Sequence, residues 1–329
     1  MRTAWGLVLL AVALLGALVA SVAIGARAMS LPELWQALHH QGDPRVISTV
    51  WDMRVPRTVT GFLVGVAYGL AGVVIQALTR NPLADSGILG VNAGAGFAVT
   101  LTVGLLGPMS MAGLLWPALL GSALATVAVY LIGSAGQWTA DPLSLVLAGV
   151  ALGTLLGGVS SFLTLIDPDT FQSLHRWNLG SIGVSSLHPT LTVAPLILLG
   201  VVLAVALARP LNAIALGDEL AQSLGVRVVA VRTVAVIVVT LLAGASTALT
   251  GGIGFVGLMV PHVVRWFTGP EQRRIMAGTI LAAPALVLLA DVVGRVLMPP
   301  HGIEVGLVTS LIGAPVLIAL VRRKKVSAL

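Results

Sequence analysis

Charged residues, aromatic residues and cysteine are all scarce in this sequence of 329 residues. Lys, Arg, Asp and Glu together make up 9% of the chain, aromatic residues make up 5%, and cysteine is absent. Soluble domains carry about 25% charged residues, so too few charges are present here to cover a water-facing surface. The absence of cysteine excludes disulfides, thiol nucleophiles and thiolate metal sites. The composition therefore excludes a soluble enzyme, a nucleic-acid-binding module and a disordered chain.

Apolar residues dominate instead: the hydrophobic fraction is 57% and the mean hydropathy is +1.03. A helix needs about 20 apolar residues to cross the hydrocarbon core of a bilayer. Candidate spans are residues 4–25, 57–78, 88–106, 111–133, 143–166, 189–208, 228–250, 254–267, 275–298 and 304–321. We therefore predict an all-α, polytopic membrane protein in which residues 1–329 form a single ten-span domain. The eighth segment is too short to cross alone and is predicted to be a half-helix.

The distribution of basic residues predicts the orientation of this domain. With the N-terminus inside, twelve of the eighteen Lys and Arg residues lie on the cytoplasmic side, and this bias favours cytoplasmic N- and C-termini. The run from Gly6 to Gly25 could belong to a signal peptide. It is longer than the stretch of about 7–15 apolar residues that such peptides use, which favours an uncleaved span. The six basic residues predicted outside are Arg27, Arg45, Arg54, Arg57, Arg176 and Arg295.

Residues 216–226, between the sixth and seventh spans, have the pattern of a short amphipathic helix. Leu216, Leu220 and Leu224 recur at every fourth position beside an Asp-Glu pair, and Gly225 suits the position after a helix C-terminus. Such a stripe outside the membrane must be buried on lipid or on a partner. Because the acidic pair disfavours an anionic lipid surface, we predict a docking element for a cytoplasmic protein.

Glycine and proline predict close packing and irregular backbone in three places. Glycine at every fourth position of the second span, from Gly61 to Gly69, favours close helix packing, with sliding of the helices as an alternative. Pro82 lacks a backbone donor and pushes Asn81 out of helical geometry, so the segment after this span is either a cytoplasmic gate or an ordinary turn. Residues 252–257 match G-x-G-x-x-G without the strand–turn–helix pattern of a dinucleotide site, and a broken helix beside a pathway fits better.

The segments predicted outside carry a capping box and an unusual set of arginines. Ser30 and Glu33 have capping-box spacing and predict a short external helix over residues 30–40, whereas residues 167–188 are predicted to be an external loop. Asp291 lies well inside an apolar run, four residues before Arg295, which is typical of an ion pair on one helix face. Arg54, Arg57 and Arg295 would then lie at outer helix ends without compensating charge, which favours an acidic partner outside.

Two classes of chemistry find no support in the residues. No P-loop pattern G-x-x-x-x-G-K-[ST] occurs in the sequence, so the chain cannot hydrolyse ATP by a P-loop. The histidines show no paired ligand spacing, so no metal site is predicted. We predict a transport subunit rather than an enzyme, with no cofactor on this chain.

Seven motifs occur in order along the chain: Arg54-Val-Pro-Arg57, residues 76–90, Leu147–Gly153, Asn178–Ser181, Leu216–Gly225, Gly254–His262 and Gly306–Pro315. Together they resemble the motifs of the FecCD family, the membrane permeases of ABC importers for iron-siderophores, haem and cobalamin. The resemblance covers nearly the whole chain. It implies ten spans in each of two permease subunits, with a homodimer expected, together with two cytoplasmic ATPases that bind ATP and Mg²⁺ and an extracytoplasmic substrate-binding protein. It also implies the cytoplasmic (inner) membrane, with lipid around the spans and no nucleic-acid partner.

The resemblance assigns candidate roles to residues at matching positions. The segment that resembles the ATPase-coupling helix contains Leu216, Gly217, Asp218, Glu219, Leu220, Ser223, Leu224 and Gly225. Arg54, Arg57 and Arg295 resemble the arginines that pair with glutamates of the binding protein. The gate and translocation candidates are Asn81, Pro82, Leu83, Asp85, Thr139, Ser144, Gly254 and Phe255. One departure lies at Arg176-Trp177-Asn178, where many relatives have a second aromatic residue before the glycine, and this leaves the substrate open.

Two function classes therefore compete. The first is the permease of an ATP-driven importer for an iron-siderophore chelate, with haem or cobalamin as alternative substrates. The second is a self-contained secondary transporter or channel, which would need a chain of ionisable groups in the membrane or an inverted repeat. Asp291 alone is thin support for that class. A membrane-embedded hydrolase finds no Ser/His or paired-Asp arrangement in the spans.

Overall fold

The computed structural model describes residues 2–25, 29–134, 142–184, 186–299 and 302–322. The first half contains helices α1 (Arg2–Ala23), α2 (Leu31–Leu38), α3 (Pro44–Ser48), α4 (Val55–Thr79), α5 (Val91–Leu106), α6 (Met111–Gly133) and α7 (Pro142–Ile166). The second half contains α8 (Pro168–Asn178), α9 (His188–Ala215), α10 (Asp218–Ser223), α11 (Val228–Val239), α12 (Ala245–Thr250), α13 (Val256–Thr268), α14 (Gln272–Leu297) and α15 (Val305–Arg322). Short π-helical turns precede α4 and join α11 to α12. No strand occurs in these ranges, so the all-α prediction is confirmed.

Each of the ten predicted spans overlaps a helix. Within the described ranges, seven helical segments are long and apolar enough to cross a membrane, which makes the chain a multi-pass membrane protein. Val91–Leu106 and Val305–Ala319 are shorter apolar helices. The eighth predicted span is α13, which has 13 residues, as a half-helix requires. The assignment of the termini to the cytoplasm remains a prediction.

Helix α4 forms the centre of the bundle, and its glycines explain why. Most of its residues are fully buried. A Cβ at Gly65 would lie 2.8 Å from the backbone nitrogen of Pro284 on α14, and one at Gly72 would overlap the Gly257 carbonyl on α13. The glycine pattern of the second span therefore permits backbone-to-backbone contact with two helices. Whether these helices also slide remains a prediction.

The segment predicted as an external loop, residues 167–188, instead contains α8. Asp167 caps this helix by accepting a hydrogen bond from the Thr170 backbone at 3.0 Å, and the Thr170 hydroxyl lowers the pKa of the Asp167 carboxyl. Trp177 is buried near the C-terminus of the helix. The prediction was wrong because this helix is largely polar and buries only one narrow face, so it lacks the apolar run that marks a span.

The chain has two polar ends, which we name by their contents. The coupling end consists of residues 80–90, 216–227 and 269–271. The arginine end consists of the described residues between α1 and α4, helix α8, and residues 298–299 and 302–304. At the arginine end, α2 begins with the predicted capping box, in which the Ser30 backbone donates to Glu33 at 2.8 Å. Its external location remains a prediction, as does the division of the chain into domains.

Candidate coupling site and translocation segments

Helix α10 is a single short turn held between two glycines. Gly217 precedes it with a φ of +116°, and Gly225 follows it with a φ of +81°, a region that favours glycine. The Gly225 backbone N–H donates to the Gln222 carbonyl and the Val226 N–H donates to the Ala221 carbonyl, each at 2.9 Å. This is a Schellman C-cap. The predicted stop at Gly225 is therefore present.

The two faces of α10 differ completely in exposure. Ala221 is fully buried and packs with Ile214 and Val228. The leucine stripe points the other way: Leu216, Leu220 and Leu224 are 63%, 56% and 65% exposed. Glu219 and Ser223 are exposed as well. We call the exposed set Leu216, Glu219, Leu220, Ser223 and Leu224 the docking face.

Asp218, which the sequence also placed in the coupling segment, has partners within the chain, and its part in coupling remains a prediction. Its carboxylate forms one ion pair with the Arg80 guanidinium and a second with Arg232, whose Nη2 lies 2.8 Å from Oδ2. The Arg80 Nε also donates to the Ile214 carbonyl at 2.8 Å. Arg80 and Asp218 lie 138 residues apart in sequence, so no local pattern predicts the contact. Asp218 therefore ties α10 to the end of α4 and to α11.

The predicted irregular backbone after α4 is present. Helix α4 ends at Arg80, which has a φ of +48°. The Asn81 side chain accepts a hydrogen bond from the Leu83 N–H at 2.9 Å, and the Asp85 carboxylate accepts one from the Gly87 N–H at 2.9 Å. These two side chains replace the helical hydrogen bonds that Pro82 prevents.

The neighbouring gate candidates lie on and before α7. Ser144 lies in the first turn of α7 and is half-buried, whereas Thr139 lies outside the described residues. A Cβ at Gly149 of α7 would overlap the Ile88 carbonyl, so this helix packs directly on the backbone that follows Asp85. The gate role of all these residues remains a prediction.

The predicted broken helix lies between α12 and α13. Gly251 has a φ of +72° and Phe255 has a φ of +67°, so the chain leaves helical geometry over residues 251–255. The Phe255 ring packs where Gly313 of α15 has no side chain, and Gly254 lies beside it, half-buried. Both candidates are therefore part of the break itself.

Four buried or half-buried polar side chains that sequence reasoning missed support this break. The Tyr68 hydroxyl lies 2.8 Å from Thr247 Oγ1 and donates to the Gly251 carbonyl at 3.0 Å. Thr247 donates to Asn92 Oδ1 at 3.0 Å, and Gln76 Nε2 donates to the Gly257 carbonyl at 3.2 Å. Backbone groups freed at membrane depth need such partners. Isolated polar residues inside apolar spans were the available signal.

Two of the sequence motifs meet at the same break through backbone contacts. Ser181 donates its N–H to the Thr250 carbonyl at 2.7 Å, and Gly306 donates to the Gly180 carbonyl at 3.0 Å. A Cβ at Gly180 would overlap the Gly252 carbonyl. The Asn178–Ser181 and Gly306–Pro315 motifs therefore join the break between α12 and α13.

At the arginine end, Asp291 is fully buried and has two arginine partners. The Arg57 Nε and Nη2 lie 2.8 and 2.6 Å from Asp291 Oδ1. The Arg295 Nε lies 3.0 Å from Oδ2, an ion pair without hydrogen-bond geometry. The predicted pair of Asp291 with Arg295 is therefore confirmed. The prediction that Arg57 and Arg295 lack compensating charge was wrong, because Arg57 approaches from a helix 234 residues away in sequence.

The remaining arginine donors of this end of the chain bind the last backbone carbonyls of helix α1. Arg54 is buried, and its Nη1 donates to the Val22 and Ala23 carbonyls at 2.7 Å. The Arg295 Nη2 donates to the Ser21 carbonyl at 3.0 Å. These carbonyls have no partner within the helix, so the guanidinium groups cap α1. The three predicted docking arginines thus have internal contacts, and their contact with an outside partner remains a prediction.

The comparisons with known proteins agree with one another. The family model of the FecCD transport family matches residues 11–323. The ferric enterobactin transport system permease protein FepD of Escherichia coli is 42% identical, over 92% of this chain and 91% of that protein. The hemin transport system permease protein HmuU of Yersinia pestis is 34% identical, over 97% of this chain and 94% of that protein.

Comparison with solved structures gives the same result. A structure described as an inward-facing conformation of a metal-chelate type ABC transporter matches with a TM-score of 0.84 and 28% identity, covering 98% of this chain and 99% of that chain. The motifs, the helix order and both kinds of comparison therefore lead to one conclusion. The chain belongs to the FecCD transport family and is an ABC importer permease.

Proposed function

We propose that this permease imports a ferric siderophore by alternating access, driven by ATP hydrolysis on separate ATPase subunits. The observation that carries the proposal is the docking face: three large apolar side chains exposed on and directly beside the short helix α10, which its buried Ala221 and the flanking glycines hold in place. Leaving such a stripe in water is unfavourable, so it fits burial on a partner. This geometry suits a rigid helix that moves together with the ATPase bound to it.

The proposed assembly contains two copies of this permease, two ATPases that bind ATP and Mg²⁺, and a binding protein outside the cytoplasmic membrane. Closure of the ATPases would move α10, and the segments at residues 80–90 and 251–255 would open and close the pathway. Both segments have irregular backbone packed against neighbouring helices, which is the arrangement that membrane transporters use for moving parts.

The substrate proposal rests on the relatives. The FepD protein is named for ferric enterobactin and shares 42% identity, whereas HmuU is named for hemin and shares 34%. We therefore favour a ferric siderophore such as ferric enterobactin, with haem and cobalamin as the alternatives. Thermal-shift measurements on the cognate binding protein with ferric enterobactin, haem and cobalamin would distinguish the three.

The docking proposal is tested by truncating the leucine stripe. Leu220→Ala and Leu224→Ala should each weaken ATPase binding about tenfold, because each removes apolar area that the partner covers. Leu198→Ala is the matched control, since Leu198 is an exposed leucine in the middle of span helix α9. The measurement is the dissociation constant between purified permease in nanodiscs and the ATPase. Equal affinity for all three variants would contradict the docking role.

The second candidate function, a self-contained transporter, is favoured only by Asp291 inside an apolar helix. Both carboxylate oxygens of Asp291 face arginines, which suits a fixed ion pair better than a proton carrier. Uptake of chelate by the isolated chain in liposomes under a proton gradient, without any ATPase, would favour this candidate and overturn the first.

A further inference from the structure

Asp218 joins three parts of the coupling end that are far apart in sequence. Its carboxylate contacts Arg80, the residue directly after the end of α4, and Arg232, in the second turn of α11. Arg232 is almost fully buried, whereas Asp218 and Arg80 are each about one-third exposed, with side-chain exposures of 36% and 34%. One side of this three-residue cluster is thus anchored in the bundle, and the other lies at the surface beside α10.

Arg80 lies between α10 and the 80–90 segment, so a small displacement of α10 would reach that segment through it. It has a φ of +48°, a region that non-glycine residues rarely adopt. Two contacts hold it there: the Asp218 ion pair and the hydrogen bond from Nε to the Ile214 carbonyl. Asn81, which begins the 80–90 segment, follows directly. A shift of α10 that carries Asp218 with it would therefore pull on the residue that sets the direction of this segment.

The docking face and Asp218 lie on different sides of α10. Glu219, the adjacent acid, is exposed with the leucines, whereas Asp218 faces Arg80 and Arg232. Two acidic residues next to each other in sequence thus have separate environments. The partner that covers the leucines would contact Glu219, and Asp218 would remain with the permease.

We infer that Asp218 is a positioning residue that transmits the movement of α10 to the 80–90 segment through Arg80. This inference rests on the proposed function, because it requires a partner that moves α10. It assigns to Asp218 a role distinct from docking: the ATPase binds through the leucines, and the Asp218–Arg80 ion pair converts that binding into movement of the gate candidates.

The test uses the absence of native cysteine. A single cysteine introduced by Leu83→Cys, in the half-buried part of the 80–90 segment, reports movement through its rate of alkylation. The full complex with its ATPases is reconstituted in nanodiscs, and the rate is compared between the nucleotide-free and the vanadate-trapped states. The expected change is about fivefold or more in the parent complex, and Asp218→Asn should abolish it. The dissociation constant of the ATPase should stay within about twofold, because the docking face is intact.

Four further variants separate transmission from structural damage. Asp218→Glu should restore part of the response, and Arg227→Gln, at an exposed charged residue of the coupling end outside the docking face, should keep all of it. Arg80→Gln should abolish the response, and the Arg80→Gln, Asp218→Asn double variant should lose no more than either single variant, since the two residues act through one contact. The Asp218–Arg80 pair is partly exposed and adds little to folding stability, and an asparagine side chain can still accept a hydrogen bond from the buried Arg232, so these variants are expected to fold.

The outcomes distinguish this inference from the proposed function. A normal response in Asp218→Asn, or losses that multiply in the double variant, would overturn the role of Asp218 while leaving the importer proposal intact. Loss of ATPase binding in Asp218→Asn would overturn it as well, since Asp218 would then belong to the docking face. No response in the parent complex would overturn both, because the segment would not move with nucleotide.

Discussion

The two ends of this permease carry the same chemical arrangement in different surroundings. At each end one aspartate is shared by two arginines that come from distant parts of the chain: Asp218 with Arg80 and Arg232, and Asp291 with Arg57 and Arg295. The Asp291 side chain is fully buried, whereas the Asp218 side chain is 36% exposed. Charge pairs in the interior are strong and costly to break, whereas pairs near water are weak and easily rearranged.

The difference indicates which end is fixed. At the arginine end the guanidinium groups also cap α1, so the cluster holds α1, α4 and α14 together. At the coupling end the cluster reaches a short surface helix. We therefore expect the three charges to hold the helices rigidly at the arginine end and to rearrange more easily at the coupling end. This comparison can be tested directly, because equivalent substitutions exist at both ends.

The largest effect is expected at the buried aspartate. Asp291→Asn should lower the free energy of unfolding by about 3–5 kcal/mol, because it leaves buried arginine charge without its counter-charge. Leu289→Ala on the same helix is the control, since Leu289 is exposed to the surroundings of the bundle. The measurement is denaturation by sodium dodecyl sulfate in mixed micelles. A loss of unfolding free energy no greater than that of the control would contradict the stabilising role of the Asp291 cluster.

The next effect concerns docking of the substrate-binding protein outside the membrane. Arg57 and Arg295 can be compared directly, because they share Asp291 but differ in exposure. The Arg57 side chain is 25% exposed and the Arg295 side chain is 11% exposed, although both contact Asp291. If an acidic binding protein docks here, Arg57→Gln should weaken docking about tenfold at low salt and less at high salt. Arg295→Gln should lower stability with little change in docking.

Surface plasmon resonance with the cognate binding protein, at several ionic strengths, measures the difference between these variants. Equal and salt-independent affinities for the parent, Arg57→Gln and Arg295→Gln would show that the cluster is purely structural. The docking surface would then have to be sought among other groups of the arginine end, such as the exposed Arg45 and Arg176.

The sequence was a reliable guide wherever a feature is local. Each segment predicted from hydropathy overlaps a helix, and the length of the eighth segment predicted a helix too short to cross alone. Leu216, Leu220 and Leu224 are exposed as their spacing predicted, although only Leu220 lies within α10. Gly225 and the Ser30 capping box were readable because helix ends use a few residue types at fixed positions.

Features that depend on distant contacts were not readable. Arg57 looked uncompensated because its partner lies 234 residues away, and the contact of Asp218 with Arg80 was not predicted because Arg80 lies 138 residues before it. Helix α8 was missed because it buries one narrow face and has no long apolar run. Charge pairs between helices are set by the packing of the bundle, and no local pattern in the sequence shows which distant residues will meet.

The smallest effect is expected at the coupling end. It shows whether the Asp218 cluster is as rigid as the Asp291 cluster or rearranges more easily. Asp218→Asn should lower the free energy of unfolding by about 1–2 kcal/mol, since water reaches Asp218 and Arg80 and only Arg232 is left buried beside the neutral side chain. The part of the loss that comes from the exposed Arg80 pair should shrink at 1 M salt, where exposed charges are screened within about 3 Å. Measured beside Asp291→Asn in the same micelles, the two variants make the same chemical change at a partly exposed and at a fully buried aspartate. A cost near that of Asp291→Asn would mean that the coupling end is as rigid as the arginine end. The movement of α10 would then have to reach the pathway through the apolar contacts of Ala221 rather than through Arg80.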